Sequence, residues 1–145
     1  MKLSALITGL AMALTMFGSA AAADSTKTVY VLPQNIHWLR VAKARSGPVG
    51  SYYAYLRGKL GDKCDWVRMN KFPDEFFYPM HVNNAYWLFT VIKGTLVIGF
   101  DRRRSKSAER VLPAGSFMEG LVEEPHYGRA IGETIFEIYA PCPKS

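Results

Sequence analysis

Histidine is scarce in this chain, three in 145 residues, and cysteine is scarcer, with two. There is no C-x-x-C pair, no G-x-S-x-G elbow, no glycine loop of phosphate-binding spacing and no Ser-His-Asp set that spacing would support. The usual signatures of thiol redox, serine hydrolase and nucleotide chemistry are therefore missing. Long apolar runs are missing beyond residue 23, where nothing approaches the roughly 18 apolar residues of a membrane helix. Helical periodicity is scarce as well: apolar residues come in short runs broken by Gly, Pro, Asn and Asp.

The one long apolar stretch is at the start. Met1-Lys2 is followed by the uncharged Leu3 to Ala23, closing on Ser19-Ala20-Ala21-Ala22-Ala23 before Asp24. A basic start, an apolar middle and an A-x-A end form the pattern of a secretory leader, which predicts cleavage before Asp24, a periplasmic or secreted location and no membrane attachment afterwards. The remaining residues 24–145 read as one domain with enough chain to bury a core. Loss of Lys2 takes the formal net charge from +6 to +5, and Arg102-Arg103-Arg104-Ser105-Lys106 holds much of the excess. That run reads as a solvated turn between two strands; with export, it argues against a nucleic-acid partner. In an oxidising compartment Cys64 and Cys142 are expected to form one disulfide that pins the tail.

Strand signals dominate the rest. Thr28–Leu32, Ser51–Leu56, Asp65–Asn70, Tyr86–Lys93, Thr95–Phe100, Arg110–Leu112 and Thr134–Tyr139 are β-rich or alternate in period two, with Gly94 breaking the fourth from the fifth. Many short strands with turn residues between them predict an all-β barrel or sandwich. The tyrosines Tyr52, Tyr53 and Tyr55 read as packing, and His37 carries no assigned role.

Three segments have a further likeness. Val91-Ile92-Lys93-Gly94-Thr95-Leu96-Val97-Ile98-Gly99, Leu112-Pro113-Ala114-Gly115-Ser116-Phe117 and Pro125-His126-Tyr127 resemble the core of the cupin superfamily. Arg68 to Pro73, Tyr78 to His81 and Ile36-His37-Trp38 extend the likeness. It implies a single-domain, cupin-type β-barrel, a two-sheet jelly roll with a pocket at one end, and pairing of two copies as a homodimer. The family's motifs are G(X)5HXH(X)3-4E(X)6G and G(X)5PXG(X)2H(X)3N, whose three histidines and glutamate hold one divalent metal.

Laid on this chain, the motifs keep their turns better than their ligands. The first opens on Glu75, keeps His81, meets Asn83 at the second histidine and Trp87 at the glutamate, and closes on Gly94. The second keeps Gly115, replaces Pro-x-Gly by Leu121-Val122-Glu123, keeps His126 and ends on Ala130. Two of four ligand positions remain, His81 and His126, as tentative ligands for Fe, Mn, Ni or Zn. Trp87, Phe89 and Val91 share one strand face, which the likeness points inward, giving an apolar barrel interior. Tyr127 should then face away from His126.

These residues admit three functions. One is a small-molecule binding protein whose pocket is formed by His81, Asn83, Trp87, Phe89 and His126, without the full metal site. A second is a metal-dependent enzyme of the oxygenase or isomerase kind, with a carboxylate from Glu119, Glu123 or Glu124 completing the two histidines. The third is a structural or interaction protein whose barrel is filled by its own side chains.

Overall fold

The computed structural model describes residues 28–44, 47–120 and 122–143. The leader expected at residues 1–23 lies outside them. Eight strands follow in chain order: β1 Leu39–Arg40, β2 Tyr52–Arg57, β3 Trp66–Phe72, β4 Phe77–His81, β5 Trp87–Gly99, β6 Glu109–Pro113, β7 Phe117–Gly120 and β8 His126–Ala140. Single 3-10 turns lie at Pro33–Asn35 and Lys106–Ala108. All strand pairs are antiparallel.

The long strands β5 and β8 organise the barrel. They pair along almost their whole length, from Leu88 with Tyr139 to Gly99 with Tyr127. Each changes its outer neighbour halfway. The first part of β5 carries β7 and its second part carries β6. The second part of β8 carries β3, then β2 and β1, while its first part carries β4. The result is two sheets that share two bent strands. At the bend the ladder slips on both sides of Lys93. Gly94 has φ +75°, and a Cβ there would lie 2.5 Å from the Glu133 carbonyl oxygen, so only glycine fits. The fully buried Thr134 hydroxyl lies within donating distance of the Thr95 and Gly132 carbonyls, at 3.0 and 3.1 Å, which supplies the slipped ladder with hydrogen bonds.

The inward face of β5 is the expected one. Trp87, Phe89 and Val91 are buried, and after the bend Leu96 and Ile98 continue the same core with Phe72, Tyr78, Ala130 and Phe136. Tyr127 packs on the opposite side, against Phe77 and the Arg104 guanidinium. The basic run forms the turn between β5 and β6, where Asp101 accepts from the Arg103 amide and the Ser105 hydroxyl. Cys64 and Cys142 are bonded across 78 residues, just beyond the Trp66–Ala140 end of the β3–β8 ladder. Closing a loop of that length stabilises a fold by about 4 kcal/mol in the chain-entropy account.

Two expectations fail. Thr28–Leu32 forms no strand: no strand among the described residues pairs with it, and an unpaired strand leaves its amides and carbonyls to water. Gly94 does not end a strand either; it kinks one, and β5 runs through it. Sequence reasoning also stopped short on β8, which begins at His126 rather than Thr134.

The motif glycine positions agree with the backbone in a way composition does not show. Gly94 and Gly115 have φ +75° and +89°, and the two positions occupied by glutamate, Glu75 and Glu123, have φ +57° and +61°. All four are left-handed, a conformation that costs a residue with a Cβ about 1 kcal/mol. Glu75→Gly and Glu123→Gly should each raise stability in urea unfolding by about 0.5–1 kcal/mol, whereas Gly94→Ala should lower it by more than either gain.

Candidate functional site

The pocket is assembled by strand register. In the β4–β8 ladder His81 lies directly opposite His126, so two motifs 45 positions apart in sequence meet as a cross-strand pair, with ring centroids 4.3 Å apart. Trp87 is brought alongside by the β5–β7 ladder, in which it faces Gly120. The indole occupies the space over that glycine, since a Cβ on Gly120 would lie 1.9 Å from the ring. Tyr78 over Gly128 and Tyr127 over Gly99 repeat this arrangement across their own ladders. The Trp87 ring then stands 5.5 Å from that of His126, and Tyr78 stands 5.1 Å from His81.

An inner chamber of about 60 Å³ lies among these side chains, and all five residues expected at the site, His81, Asn83, Trp87, Phe89 and His126, line it. A wider cleft of about 520 Å³ shares Pro48, Arg68, Tyr78, His81 and Asn83 with the chamber, so the two are contiguous. Among the described residues no aspartate or glutamate lines either space.

Both histidines are oriented by backbone carbonyls. His126 Nδ1 is 2.8 Å from the Glu124 carbonyl and His81 Nδ1 is 3.0 Å from that of Pro79. A carbonyl only accepts, so in the neutral rings Nδ1 carries the proton and Nε2 presents a lone pair. The Asn83 amide nitrogen lies 3.5 Å from His126 Nε2, on the donor side of a long contact. Burial holds the His126 imidazole below its ordinary pKa, with the positive form of His81 acting the same way and the Glu124 carbonyl opposing both. Burial pushes the Tyr78 phenol well above its usual range, so it stays neutral.

Strand β3 adds residues that sequence reasoning missed. Asn70 and Arg68 share the face of Phe72 and line the chamber with it. Counting back by two from the buried Phe72 would have found them. Asn70 and Trp87 are each 4% exposed, and no protein acceptor among the described residues reaches Asn70 Nδ2 or Trp87 Nε1. Arg68 lies at the rim, its guanidinium 5.6 Å from the Trp66 ring and 6.0 Å from that of Tyr55.

The carboxylates proposed to complete a metal site do not join the histidines. Among the described residues no group of three or more His, Cys, Asp or Glu is placed to hold a metal ion. Glu119 pairs with Leu88 on the outer side of the β5–β7 ladder and accepts from the Tyr86 hydroxyl. Glu123 is exposed and uses its amide on the Asn83 carbonyl. Glu124 meets His126 only through its backbone. With Trp87 in the glutamate position, the chamber offers two imidazole lone pairs beside N–H donors. That set does not fit a divalent cation.

Because the Glu124 carbonyl fixes the ring, His126 should show the Nδ1–H tautomer at neutral pH in ¹⁵N-detected imidazole NMR. A ring protonated on Nε2 would contradict the placement of its lone pair.

No family model and no curated protein matches this sequence. Solved structures do match in fold. The polyketide cyclase RemF from Streptomyces resistomycificus aligns with a TM-score of 0.63 at 15% identity, covering 81% of each chain. A RmlC-like cupin from Shewanella frigidimarina gives 0.60 at 13% identity over 81% of this chain and 95% of its own. Drosophila melanogaster CENP-C, solved bound to CAL1, gives 0.56 at 12% identity over 75% and 84%. An enzyme and a protein-binding domain thus share one architecture. The shared two-sheet barrel, with left-handed backbone at all four motif glycine positions, gives this protein the cupin fold.

Proposed function

We propose that this protein is an exported cupin-fold protein that binds a small molecule in its barrel, without a resident metal. The observation that carries the reading is the chamber of about 60 Å³ lined by His81, Asn83, Trp87, Phe89 and His126, which opens into a cleft of about 520 Å³. The aromatic walls Phe89 and Trp87 supply apolar area, while His81, Asn83 and His126 supply orientation. Export rests on the leader pattern at residues 1–23. The Cys64–Cys142 disulfide fits an oxidising compartment, and no helix among the described residues is long and apolar enough to cross a membrane.

The alternatives are less well supported. A metal-dependent enzyme using Fe, Mn, Ni or Zn would rely on His81 and His126 alone, because among the described residues no carboxylate, Glu119, Glu123 and Glu124 included, is grouped with the two histidines. A purely structural barrel would be filled by its own side chains, whereas here the chamber continues into a 520 Å³ cleft.

The test combines stability and binding. Asn70→Leu keeps the volume and removes the unsatisfied amide, so the ligand-free variant should melt a few degrees higher, equivalent to about 1–2 kcal/mol. Compounds that raise the melting temperature of the wild type in a metabolite library should bind the variant at least about tenfold more weakly. A library without hits, or hits that bind both proteins equally, would contradict a functional pocket.

A further inference from the structure

The barrel has an open and a closed end, and the connections at the two ends differ in kind. At the open end Trp66 pairs with Ala140, His81 with His126, Trp87 with Gly120 and Gly99 with Glu109. The connections 58–65, 82–86, 100–108 and 122–125 therefore emerge together. Three of them hold an aliphatic side chain in water: Leu60 is 43% exposed, Val82 45% and Val122 51%. The fourth is the basic turn, whose Arg102, Arg103, Arg104 and Lys106 are all exposed, and Lys59 and Lys63 add two exposed cations beside Leu60. Among the described residues Arg102, Arg103 and Lys106 form no salt bridge. Those six basic groups stand against the carboxylates of Asp62, Asp101, Glu123 and Glu124, the Arg57–Asp65 pair cancelling itself. Asp101 is turned inward, accepting from the Arg103 amide and the Ser105 hydroxyl. At the closed end, connections 73–76 and 114–116 carry Asp74 and Glu75 and no basic residue, while Lys93 at the bend is paired with Glu133. Connection 41–51 turns back to line the wider cleft with Ala44, Gly47 and Pro48.

Exposed aliphatics and cations on the loop tips of one end suit a lipid surface, which offers phosphates to the cations and an acyl boundary to the aliphatics. We propose that the open end of the barrel docks on an anionic phospholipid bilayer. The basic turn meets the headgroup phosphates, and Leu60, Val82 and Val122 enter the interface. The turn has a packed base: the Arg104 guanidinium lies 5.1 Å from the Phe77 ring and 5.9 Å from that of Tyr127, so Arg102 and Arg103 are presented from a fixed support. A second copy is a poorer occupant, because a two-fold contact would set the basic turn of one copy against that of the other. Three separated loop tips also offer little of the roughly 800 Å² that a stable protein interface buries on each partner. An acidic protein surface would match the charge, but not the depth that three aliphatics on separate loops need at once. Removal of the leader takes away an anchor and leaves this surface in place. Each aliphatic also borders an opening: Val82 the 520 Å³ cleft, Leu60 one of about 400 Å³, and Val122 a groove of about 600 Å³ beside the disulfide. Docking turns these openings toward the bilayer.

Flotation of the mature protein with lipid vesicles tests the proposal. The probes are vesicles of phosphatidylcholine alone and of phosphatidylcholine with about one-third phosphatidylglycerol, in about 0.05 M and about 0.5 M NaCl. The protein should float with the anionic vesicles at low salt and be released at high salt. Arg102→Gln and Arg103→Gln should each weaken partitioning about fivefold, the effect of losing one cation near the surface. Val82→Ser combined with Val122→Ser should weaken it about tenfold and leave its salt dependence unchanged. Lys93→Gln removes the same charge at the closed end and should leave binding as it was. All these positions are exposed, and circular dichroism establishes that each variant is folded. No flotation with anionic vesicles at low salt would overturn the proposal, as would equal flotation with neutral ones. Loss of binding in Lys93→Gln as large as in Arg102→Gln would overturn it too, because attraction would then follow net charge and not the open end. A dimer in sedimentation that Val82→Ser with Val122→Ser dissolves would give the surface to a second copy instead. The small-molecule reading is tested separately by the thermal shifts above, and none of these outcomes decides it.

Discussion

The barrel depends on one ladder, the antiparallel pairing of β5 with β8, and on its ability to bend without losing hydrogen bonds. Thirteen and fifteen residues are long for strands, and two straight strands of that length would make a flat, two-sided sheet. Gly94, Gly132 and the buried Thr134 hydroxyl let the pair turn in the middle, so each half serves a different sheet. Once that bend is made, the outer neighbours follow: β3 and β7 on one half, β4 and β6 on the other. The Cys64–Cys142 bond then holds the free end of β8 against β3.

The same ladders set the chemistry. Register places His81 against His126 and Trp87 over Gly120, and these two facts define the pocket floor. Gly120 matters because it leaves room for a large ring where a strand neighbour would otherwise project a side chain. An indole in that slot fills the volume a liganded metal would need and forms part of the chamber wall. Fold and site are separable in this way because the turn positions hold the barrel while the lining side chains choose its guest.

Much of the fold was legible because its signals are local. Alternation in Trp66–Phe72 and Thr134–Tyr139, and the glycines at 94 and 115, are visible in short windows of sequence. Glu75 and Glu123 looked like lost turn positions because residue type was taken as a proxy for backbone conformation; the backbone stayed left-handed without glycine. Thr28–Leu32 was overread because β-propensity says nothing about whether a partner strand exists. At the site, His81, Asn83, Trp87, Phe89 and His126 could be placed together from motif spacing, and they do line one chamber. Asn70 and Arg68 lay within reach by counting back two at a time from Phe72, but which face of β3 turns inward is set only by its ladder with β8, which closes across more than sixty positions. The lack of a carboxylate grouped with the histidines among the described residues is likewise a three-dimensional fact: Glu119 is close in sequence but accepts from Tyr86, and Glu124 meets His126 through its backbone carbonyl.

The central claim is that the barrel interior is a small-molecule pocket walled by Trp87, and the indole of that residue is its most direct reporter. The side-chain ¹H–¹⁵N resonance of Trp87, assigned by its loss in Trp87→Phe, can be followed while a compound that raises the melting temperature is titrated into the mature protein. The account predicts that this resonance shifts as the ligand fills the chamber, while those of Trp38 and Trp66 stay in place. A Trp87 resonance that does not move at saturating ligand, with the shift falling instead on Trp38 or Trp66, would contradict it.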